Sequence, residues 1–264
     1  ITEIAGILNG TTNYILTKMF KENDSFENAL KTAQELGYAE KDPTADVDGL
    51  DACRKISILM SLVTGKKIES KKVRTEGIRH ITAEDVTYAA AIGCTIKLIG
   101  CGFVKDGRVN ASVEPMLIAD DNLLSGVENV FNAVTVKGNM VDTLLFYGRG
   151  AGKLPTASAV VADVIDCAVS KGTKIGYTWE EAAENNLVSS SEMLTRLYVR
   201  GFASDVEKAK ASIGKLFSGA EFISRENAPE DEIAFITPSD IKRKVVKDIE
   251  EIEGFDTQSV IRLF

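Results

Sequence analysis

Five carboxylates lie in one stretch of the sequence that ends on two cations, GYAEKDPTADVDGLDACRK at residues 37–55. Its charged residues of interest are, in order, Glu40, Asp42, Asp46, Asp48, Asp51, Arg54 and Lys55. Such a stretch suits three kinds of chemistry: a solvated acidic loop, a cation site, or one edge of an active site. The spacing of individual residues separates these alternatives in part.

A calcium loop is the first alternative, because DVDG at residues 46–49 resembles the D-x-D-G core of an EF-hand. In that register the first ligand position falls on Thr44, and the position of the bidentate glutamate falls on Lys55. The register therefore fails. The cysteines form no CxxC pair and His80 is the only histidine, so we predict no metal site.

Asp51 and Lys55 lie four residues apart, so they share one face of the helix predicted up to Gly65. On an open surface such an ion pair is worth only ~0.3–0.5 kcal/mol. Residues 56–63, however, are apolar nearly all round, which predicts a buried helix, capped by Asp48, whose first turns lie at the mouth of a core. A lysine held beside carboxylates in a cleft is suited to proton transfer. The residues alone leave both interpretations open.

Other chemistry finds less support. One histidine and no GxSxG motif argue against a Ser-His-Asp hydrolase. The turn GRGAGKL at residues 148–154 is one residue too short for a P-loop, and Leu154 stands where a Mg²⁺-binding Ser or Thr is required. Its glycines suit either a plain turn between a strand and a helix or a close approach of backbone to a dinucleotide.

Composition limits the partners. The net charge is −8 and the pI near 5.0, without a cluster of Lys and Arg, so we expect neither nucleic acid nor an anionic membrane. No apolar run approaches the ~20 residues that span a bilayer, and no signal-peptide pattern is present, so we expect a cytoplasmic protein with reduced cysteines. The start at Ile1, without Met, cap or turn signal, indicates a piece of a longer protein.

The elements that must position these residues begin with helices. Two are predicted before Gly37, the first capped by Thr11 or Thr12 and the second by Asp24 or Ser25. Hairpins are then predicted around the turns at 105–107 and 137–139, and an apolar helix at 157–170. The sequence therefore predicts an α+β fold in which helices pack on a mixed or antiparallel sheet.

The C-terminal part has a different pattern. Residues 172–192 are polar and weakly patterned, which predicts a linker between a domain at 1–171 and a second at 193–264. The second domain is predicted to have the order βαββαβ, which is typical of a ferredoxin-like fold. Fold alone does not assign its function.

Three motifs in this order, GILNGTTNYIL, GYAEKDPTADVDGLDACRK and GRGAGKLPTASAVVADV, resemble homoserine dehydrogenase over residues 1 to about 170. The resemblance implies NAD(P)-dependent interconversion of L-aspartate 4-semialdehyde and L-homoserine, a step toward threonine, methionine and isoleucine. It implies that Lys55 exchanges the proton at the substrate oxygen and that Asp51 orients this lysine and the substrate. Glu40 and Asp46 would bind the amino group and the hydroxyl side of the substrate.

The same resemblance implies that Thr11 and Tyr38 line the substrate pocket. Gly150 and Gly152 would approach the cofactor, NADP or NAD, and the helix at 155–170 would pack on a nucleotide-binding domain. That Rossmann domain, with a second substrate-facing lysine and a monovalent-cation site, is expected upstream of Ile1. We therefore expect the chain to be the substrate and dimerisation portion of a homo-oligomer, inactive alone.

Residues 193–264 resemble the ACT domain that many homoserine dehydrogenases append. The usual D-x-PG-V-L turn reads GFASDVEKAK here, without the Pro-Gly that would present backbone groups to an effector. This favours a dimerisation role over threonine sensing. The alternative to an enzyme is an amino-acid-binding regulatory or assembly module whose acidic pocket binds its ligand without chemistry.

Overall fold

The computed structural model describes residues 1–105, 107–170, 179–181 and 187–264. In these residues the α-helices are α1 (Gly10–Glu22), α2 (Phe26–Glu35), α3 (Thr44–Val47), α4 (Leu50–Thr64), α5 (Ala83–Ala91), α6 (Lys153–Val169), α7 (Val206–Leu216) and α8 (Lys242–Glu250). The strands are β1 (Glu3–Ile7), β2 (Arg74–Thr75), β3 (Cys94–Lys105), β4 (Arg108–Ala119), β5 (Phe131–Gly138), β6 (Asp142–Arg149), β7 (Leu187–Val188), β8 (Leu194–Thr195), β9 (Leu197–Ala203), β10 (Glu221–Ile223), β11 (Glu232–Ile236), β12 (Asp240–Ile241) and β13 (Phe255–Leu263).

Most of the described strands form one mixed sheet in the order β10-β11-β9-β13-β4-β3-β1-β5-β6. Both predicted hairpins are present: β3 pairs antiparallel with β4, and β5 with β6. Asp106, in the first predicted turn, lies outside the described residues. The prediction of a mixed sheet packed by helices is confirmed.

The strands before and after the predicted linker belong to the same sheet. The end of β13 pairs in parallel with β4, with Arg262 opposite Met116, while the rest of β13 pairs antiparallel with β9. The predicted linker at 172–192 lies largely outside the described residues, and its described end contributes β7, which pairs with β4. The C-terminal strands therefore extend the N-terminal sheet.

Apolar side chains fill both faces of the central strands. On one face α1 and α4 cover the sheet with buried residues such as Ile15 and Ile56. The other face buries Ile99 and Met116 against the segment that follows β4. A third cluster, around Phe235, lies between the C-terminal strands and α7 and α8. Burial of this kind stabilises the fold by ~25 cal/mol per Å² of apolar surface.

The structure corrects one predicted helix cap and confirms another. Asn9, rather than Thr11 or Thr12, caps α1, and its side-chain oxygen accepts a hydrogen bond from the Thr12 backbone N–H at 2.9 Å. Ser25 caps α2, as one of the predicted alternatives had it. Helix α8 begins at Lys242, directly after β12, which pairs with β8.

Helix α4 is more exposed than predicted. Helix α4 buries one face only, and Ile58 and Leu62 on its other face are 49% and 46% exposed. The prediction that α4 is buried all round is therefore wrong. Helix α6 buries none of its residues, and Val164 is 62% exposed. Among the described residues no helix has both the length and the apolar character needed to cross a membrane.

Candidate active site

Three chain segments meet where β1 ends and α1 begins. Strand β1 lies between β3 and β5, so its end is held on both sides. Asn9 follows this strand, Asp46 lies on the short helix α3, and Asp51 and Lys55 lie on the first turns of α4. These four residues, here called the acid–lysine cluster, are joined by hydrogen bonds.

Asn9 lies at the centre of the cluster and is 6% exposed. Its Nδ2 donates to Asp46 Oδ1 at 2.7 Å and to Asp51 Oδ2 at 3.0 Å. Its Oδ1 accepts from the backbone N–H and the hydroxyl of Thr12, at 2.9 and 3.1 Å. Both N–H donors of the side-chain amide are therefore used, and the single Thr12 hydroxyl hydrogen is shared between Asn9 Oδ1 and the Asn9 backbone carbonyl, each at 3.1 Å.

Lys55 is anchored at two points but stays open to solvent. Its Nζ donates to Asp51 Oδ2 at 2.6 Å and to the backbone carbonyl of Leu8 at 2.9 Å. The Lys55 side chain is 49% exposed and that of Asp51 is 30% exposed. The predicted i,i+4 pair is present. Unlike an ordinary surface ion pair, it is also bonded to the end of β1 through the Leu8 carbonyl.

Two close backbone contacts position the start of α4. Gly49 precedes the helix with φ +77°, a backbone conformation that residues with a Cβ rarely adopt. A Cβ on Gly77 would lie 2.1 Å from the Val47 carbonyl oxygen, so α3 packs directly against this glycine. Asp48 does not cap α4, contrary to the prediction. Gly49 occupies the cap position without a side-chain bond, and Asp48 pairs instead with Arg79.

The other predicted substrate residues lie on α1 and on the loop after α2. The Thr11 hydroxyl donates to the Tyr38 carbonyl oxygen at 2.6 Å. The Tyr38 ring is 43% exposed and packs edge-on against Tyr14, with the ring centroids 5.1 Å apart. Glu40 is exposed, and its backbone carbonyl accepts a hydrogen bond from Gln34. The structure thus joins Thr11 to Tyr38, while the Glu40 carboxylate forms no hydrogen bond with the acid–lysine cluster.

The Gly-rich turn lies beside the start of α1. A Cβ on Gly150 would be 3.0 Å from Asn132 Oδ1, and a Cβ on Gly10 would be 3.4 Å from the same atom. Both glycines therefore contact one side chain, and Gly10 directly follows Asn9. Gly152 has φ +116° at the start of α6, which favours glycine there.

This arrangement provides an accessible ammonium group between a carboxylate and a carbonyl, with a second carboxylate beside it. Such a group can exchange a proton with a bound ligand, and the carboxylates can bind a cationic one. Among the described residues no group of three His, Cys, Asp or Glu side chains could hold a metal ion. Asn9 was not predicted as a site residue, although Asn is a preferred helix cap and directly precedes the GTT of the first motif.

Comparison with known proteins identifies the family. A sequence model of homoserine dehydrogenase matches residues 1–165. The homoserine dehydrogenase of Bacillus subtilis is 42% identical over 222 residues, which cover 83% of this chain and 51% of that protein.

Solved structures agree. The crystal structure of a homoserine dehydrogenase from Thiobacillus denitrificans superposes with a TM-score of 0.87 at 32% identity, covering 100% of this chain and 64% of that one. A hyperthermophilic archaeal homoserine dehydrogenase, solved in complex with NADPH, matches with a TM-score of 0.54 at 32% identity, covering 64% of this chain and 48% of its own. The chain thus spans between about half and two thirds of the relatives that it matches. It belongs to the homoserine dehydrogenase family.

Proposed function

We propose that this chain forms the substrate-binding and acid–base part of an enzyme that interconverts L-aspartate 4-semialdehyde and L-homoserine with NADP or NAD. Family membership supports the reaction. The observation that carries the assignment of the site is the position of Lys55 Nζ, bonded to Asp51 and to the Leu8 carbonyl while its side chain stays 49% exposed. A substrate oxygen can reach this ammonium group without displacing a buried side chain.

Lys55 is the proton donor and acceptor in this proposal. During reduction of the aldehyde, the substrate oxygen takes a proton from Lys55 Nζ, and during oxidation of the alcohol Nζ takes it back. The bound dinucleotide supplies or accepts the hydride. Asp51 fixes the direction of the ammonium group, because the Asp51 Oδ2 and the Leu8 carbonyl accept hydrogen bonds from two of its three N–H groups.

The carboxylates beside Lys55 suit an amino-acid substrate, since its ammonium group is bound best by charge-assisted hydrogen bonds. We assign Asp46 and Glu40 to this part of the substrate. One oxygen of Asp46 accepts a hydrogen bond from Asn9, and Glu40 is exposed on the loop that also carries Tyr38. Thr11 and Tyr38 form the adjoining wall, held together by the bond between the Thr11 hydroxyl and the Tyr38 carbonyl.

The cofactor belongs mainly to a dinucleotide-binding domain outside this chain, with Gly150 and Gly152 approaching it from this side. The contact that Gly150 shares with Gly10 through Asn132 supports this, because it places the Gly-rich turn next to the cluster. The exposed apolar face of α6, which includes Val160 and Val164, is the surface that we expect that domain to cover. The monovalent-cation site and a second lysine are expected in the same domain, so the isolated chain should not turn over substrate.

For the C-terminal part we propose an ACT-like domain over residues 193–264, separated by the linker at 172–192 from the domain at 1–171. The order of its strands, β10-β11-β9-β13, with α7 and α8 packed on them, supports a ferredoxin-like unit. Its role in this proposal is assembly of a homo-oligomer rather than threonine sensing. A cytoplasmic location stays a prediction.

The test is Lys55→Ala in the active enzyme that contains this chain, assayed by homoserine-dependent reduction of NADP⁺. We expect kcat to fall by about 10²–10⁴-fold, the usual contribution of a positioned proton donor, while the melting temperature and NADPH binding persist. Lys244→Ala is the matched control, because Lys244 on α8 forms an exposed i,i+4 pair with Asp240 on β12. Full turnover by Lys55→Ala would favour the binding module without chemistry.

A further inference from the structure

Asn9 is the member of the acid–lysine cluster to which the family resemblance gives no role. We propose that Asn9 is a positioning residue whose side-chain amide bridges Asp46 and Asp51 and holds them at the spacing that binds the substrate. This inference rests on the proposed function. It follows from the two hydrogen bonds of one nitrogen, 2.7 Å to Asp46 and 3.0 Å to Asp51.

The bridge solves an electrostatic problem. Two carboxylates that approach the same nitrogen repel each other, and the effect is largest where water is partly excluded. A primary amide has two N–H donors and no charge, so it stabilises both carboxylates without neutralising either one. Together with Lys55 the two acids then leave one net negative charge, which complements a substrate ammonium group. A lysine or arginine at position 9 would cancel this charge.

The direction of the amide is fixed by the start of α1. Asn9 Oδ1 accepts from the Thr12 backbone N–H and hydroxyl, so the nitrogen must face the acids. The carbonyl of the preceding residue, Leu8, accepts from Lys55 Nζ. Residues 8 and 9 therefore contact every charged member of the cluster, and the end of β1 sets the position of each relative to the others.

Asn9 has two separable tasks, to cap α1 and to bridge the acids. Serine also caps helices through its oxygen, so Asn9→Ser keeps the first task and removes both donors to the acids. Aspartate caps equally well, and Asn9→Asp puts a third carboxylate where the donors were. The two variants thus retain the cap while they weaken or reverse the bridge.

The experiment measures kcat, KM and their pH dependence for both variants in the active enzyme that contains this chain. For Asn9→Ser we expect kcat/KM for homoserine to fall by about tenfold to a hundredfold, as misplacement of binding groups does, with an unchanged melting temperature. For Asn9→Asp we expect a larger fall, and the acid limb of the pH profile should move to higher pH because a third negative charge favours protonation of the cluster. Asp205→Ser is the control, since it exchanges the cap of α7.

A second readout does not need turnover. Hydrogen exchange of the backbone amides at 44–51 should rise in Asn9→Ser, because the bridge holds α3 and the start of α4, while exchange in α7 stays unchanged. Wild-type kinetics and wild-type exchange in both variants would overturn the role of Asn9. An inactive wild-type enzyme would instead refute the proposed function, and the exchange data would still decide whether Asn9 holds the acids.

Discussion

The acid–lysine cluster and the contact between α5 and the C-terminal strands both pair acidic with basic side chains, but in opposite environments. In the cluster the Lys55 side chain is 49% exposed and that of Asp51 is 30% exposed. In the second region, Arg200 is 5% exposed and Asp85 fully buried. The first arrangement leaves an ammonium group open to a ligand, whereas the charged groups of the second are paired with one another inside the protein.

The second region, here called the buried seam, consists of Thr82, Asp85, Tyr88, Tyr198, Arg200, Arg225 and Glu232. Asp85 Oδ1 accepts from Arg200 Nε at 2.8 Å and from the Tyr198 hydroxyl at 3.1 Å. Glu232 accepts from Arg225 and from the Tyr88 hydroxyl, both at 2.9 Å. Burial and the nearby Glu232 raise the pKa of Tyr88 to about 12.

A further buried ion cluster repeats this design where β4 meets α8 and β13. Glu114 is 2% exposed, pairs with Lys242 and accepts from Arg262 at 3.2 Å. Burial alone would raise the pKa of Glu114, but Lys242 and Arg262 hold it below its usual range. Pairing of this kind offsets the cost of taking charged side chains out of water. Exposure therefore separates the charges that hold the fold from those available for chemistry.

The largest effect is expected from Asp85→Ala, which breaks the buried seam. It leaves Arg200 with a distant partner, Glu232 at 3.4 Å, and removes the acceptor of the Tyr198 hydroxyl. It also removes the side-chain half of the capping box that Asp85 forms with Thr82 at the start of α5. We expect the free energy of unfolding to fall by about 3–5 kcal/mol, as it does when one partner of a buried ion pair is removed.

Denaturant unfolding measures this loss, and Glu84→Ala is the matched control. Glu84 is the neighbouring acid in the first turn of α5, partly exposed, and its loss should cost less than about 1 kcal/mol. Equal effects of the two variants would contradict the importance assigned to the buried seam.

Lys97 sharpens the comparison because it is buried like the seam but bonded only to neutral groups. It is 3% exposed, and its Nζ donates to the Val127 carbonyl at 2.6 Å and to Asn13 Oδ1 at 3.3 Å. Burial lowers the pKa of Lys97 to about 8. Between pH 8 and 10.5 the unfolded chain therefore keeps a proton that the folded chain has released, and the stability contributed by Lys97 rises with pH by roughly 3 kcal/mol.

Lys97→Met removes this titration. We expect the difference in unfolding free energy between variant and wild type to change in favour of the wild type as the pH rises from 8 to 10.5. Buried Cys101, whose pKa burial raises, titrates in both proteins and cancels in the difference. A difference that stays constant over this range would show that Lys97 keeps its proton in the folded state.

The sequence predicted the parts of this comparison that depend on near neighbours. The pairing of Asp51 with Lys55 follows from helical spacing, and both hairpins follow from alternating strands around turn residues. The cap of α1 was misplaced by two or three residues, because Asn, Gly and Thr are all acceptable at a helix start, and the bond from the Thr12 backbone N–H identifies Asn9 as the cap.

The buried seam could not be predicted. Asp85 and Arg200 are separated by 115 residues, and each has the type of an ordinary surface residue. The exposed face of α4 was missed for a related reason. An apolar sequence predicts a buried helix, whereas Ile58 and Leu62 lie on a face that no described element covers. Both features depend on which elements become neighbours in space.

The smallest effect on stability is expected from Lys55→Met, on the exposed side of the comparison. The ion pair with Asp51 is half-exposed, and pairs of this kind contribute about 0–1 kcal/mol. Asp51 keeps its bond from Asn9 when the lysine is lost, and solvent can replace Nζ at the Leu8 carbonyl. Methionine retains most of the apolar stem. We therefore expect the free energy of unfolding, measured with denaturant, to change by less than about 1 kcal/mol. A loss of stability as large as that of Asp85→Ala would mean that Lys55 stabilises the fold as the buried seam does. Exposure would then not distinguish the charged residues available for catalysis from those that stabilise the fold.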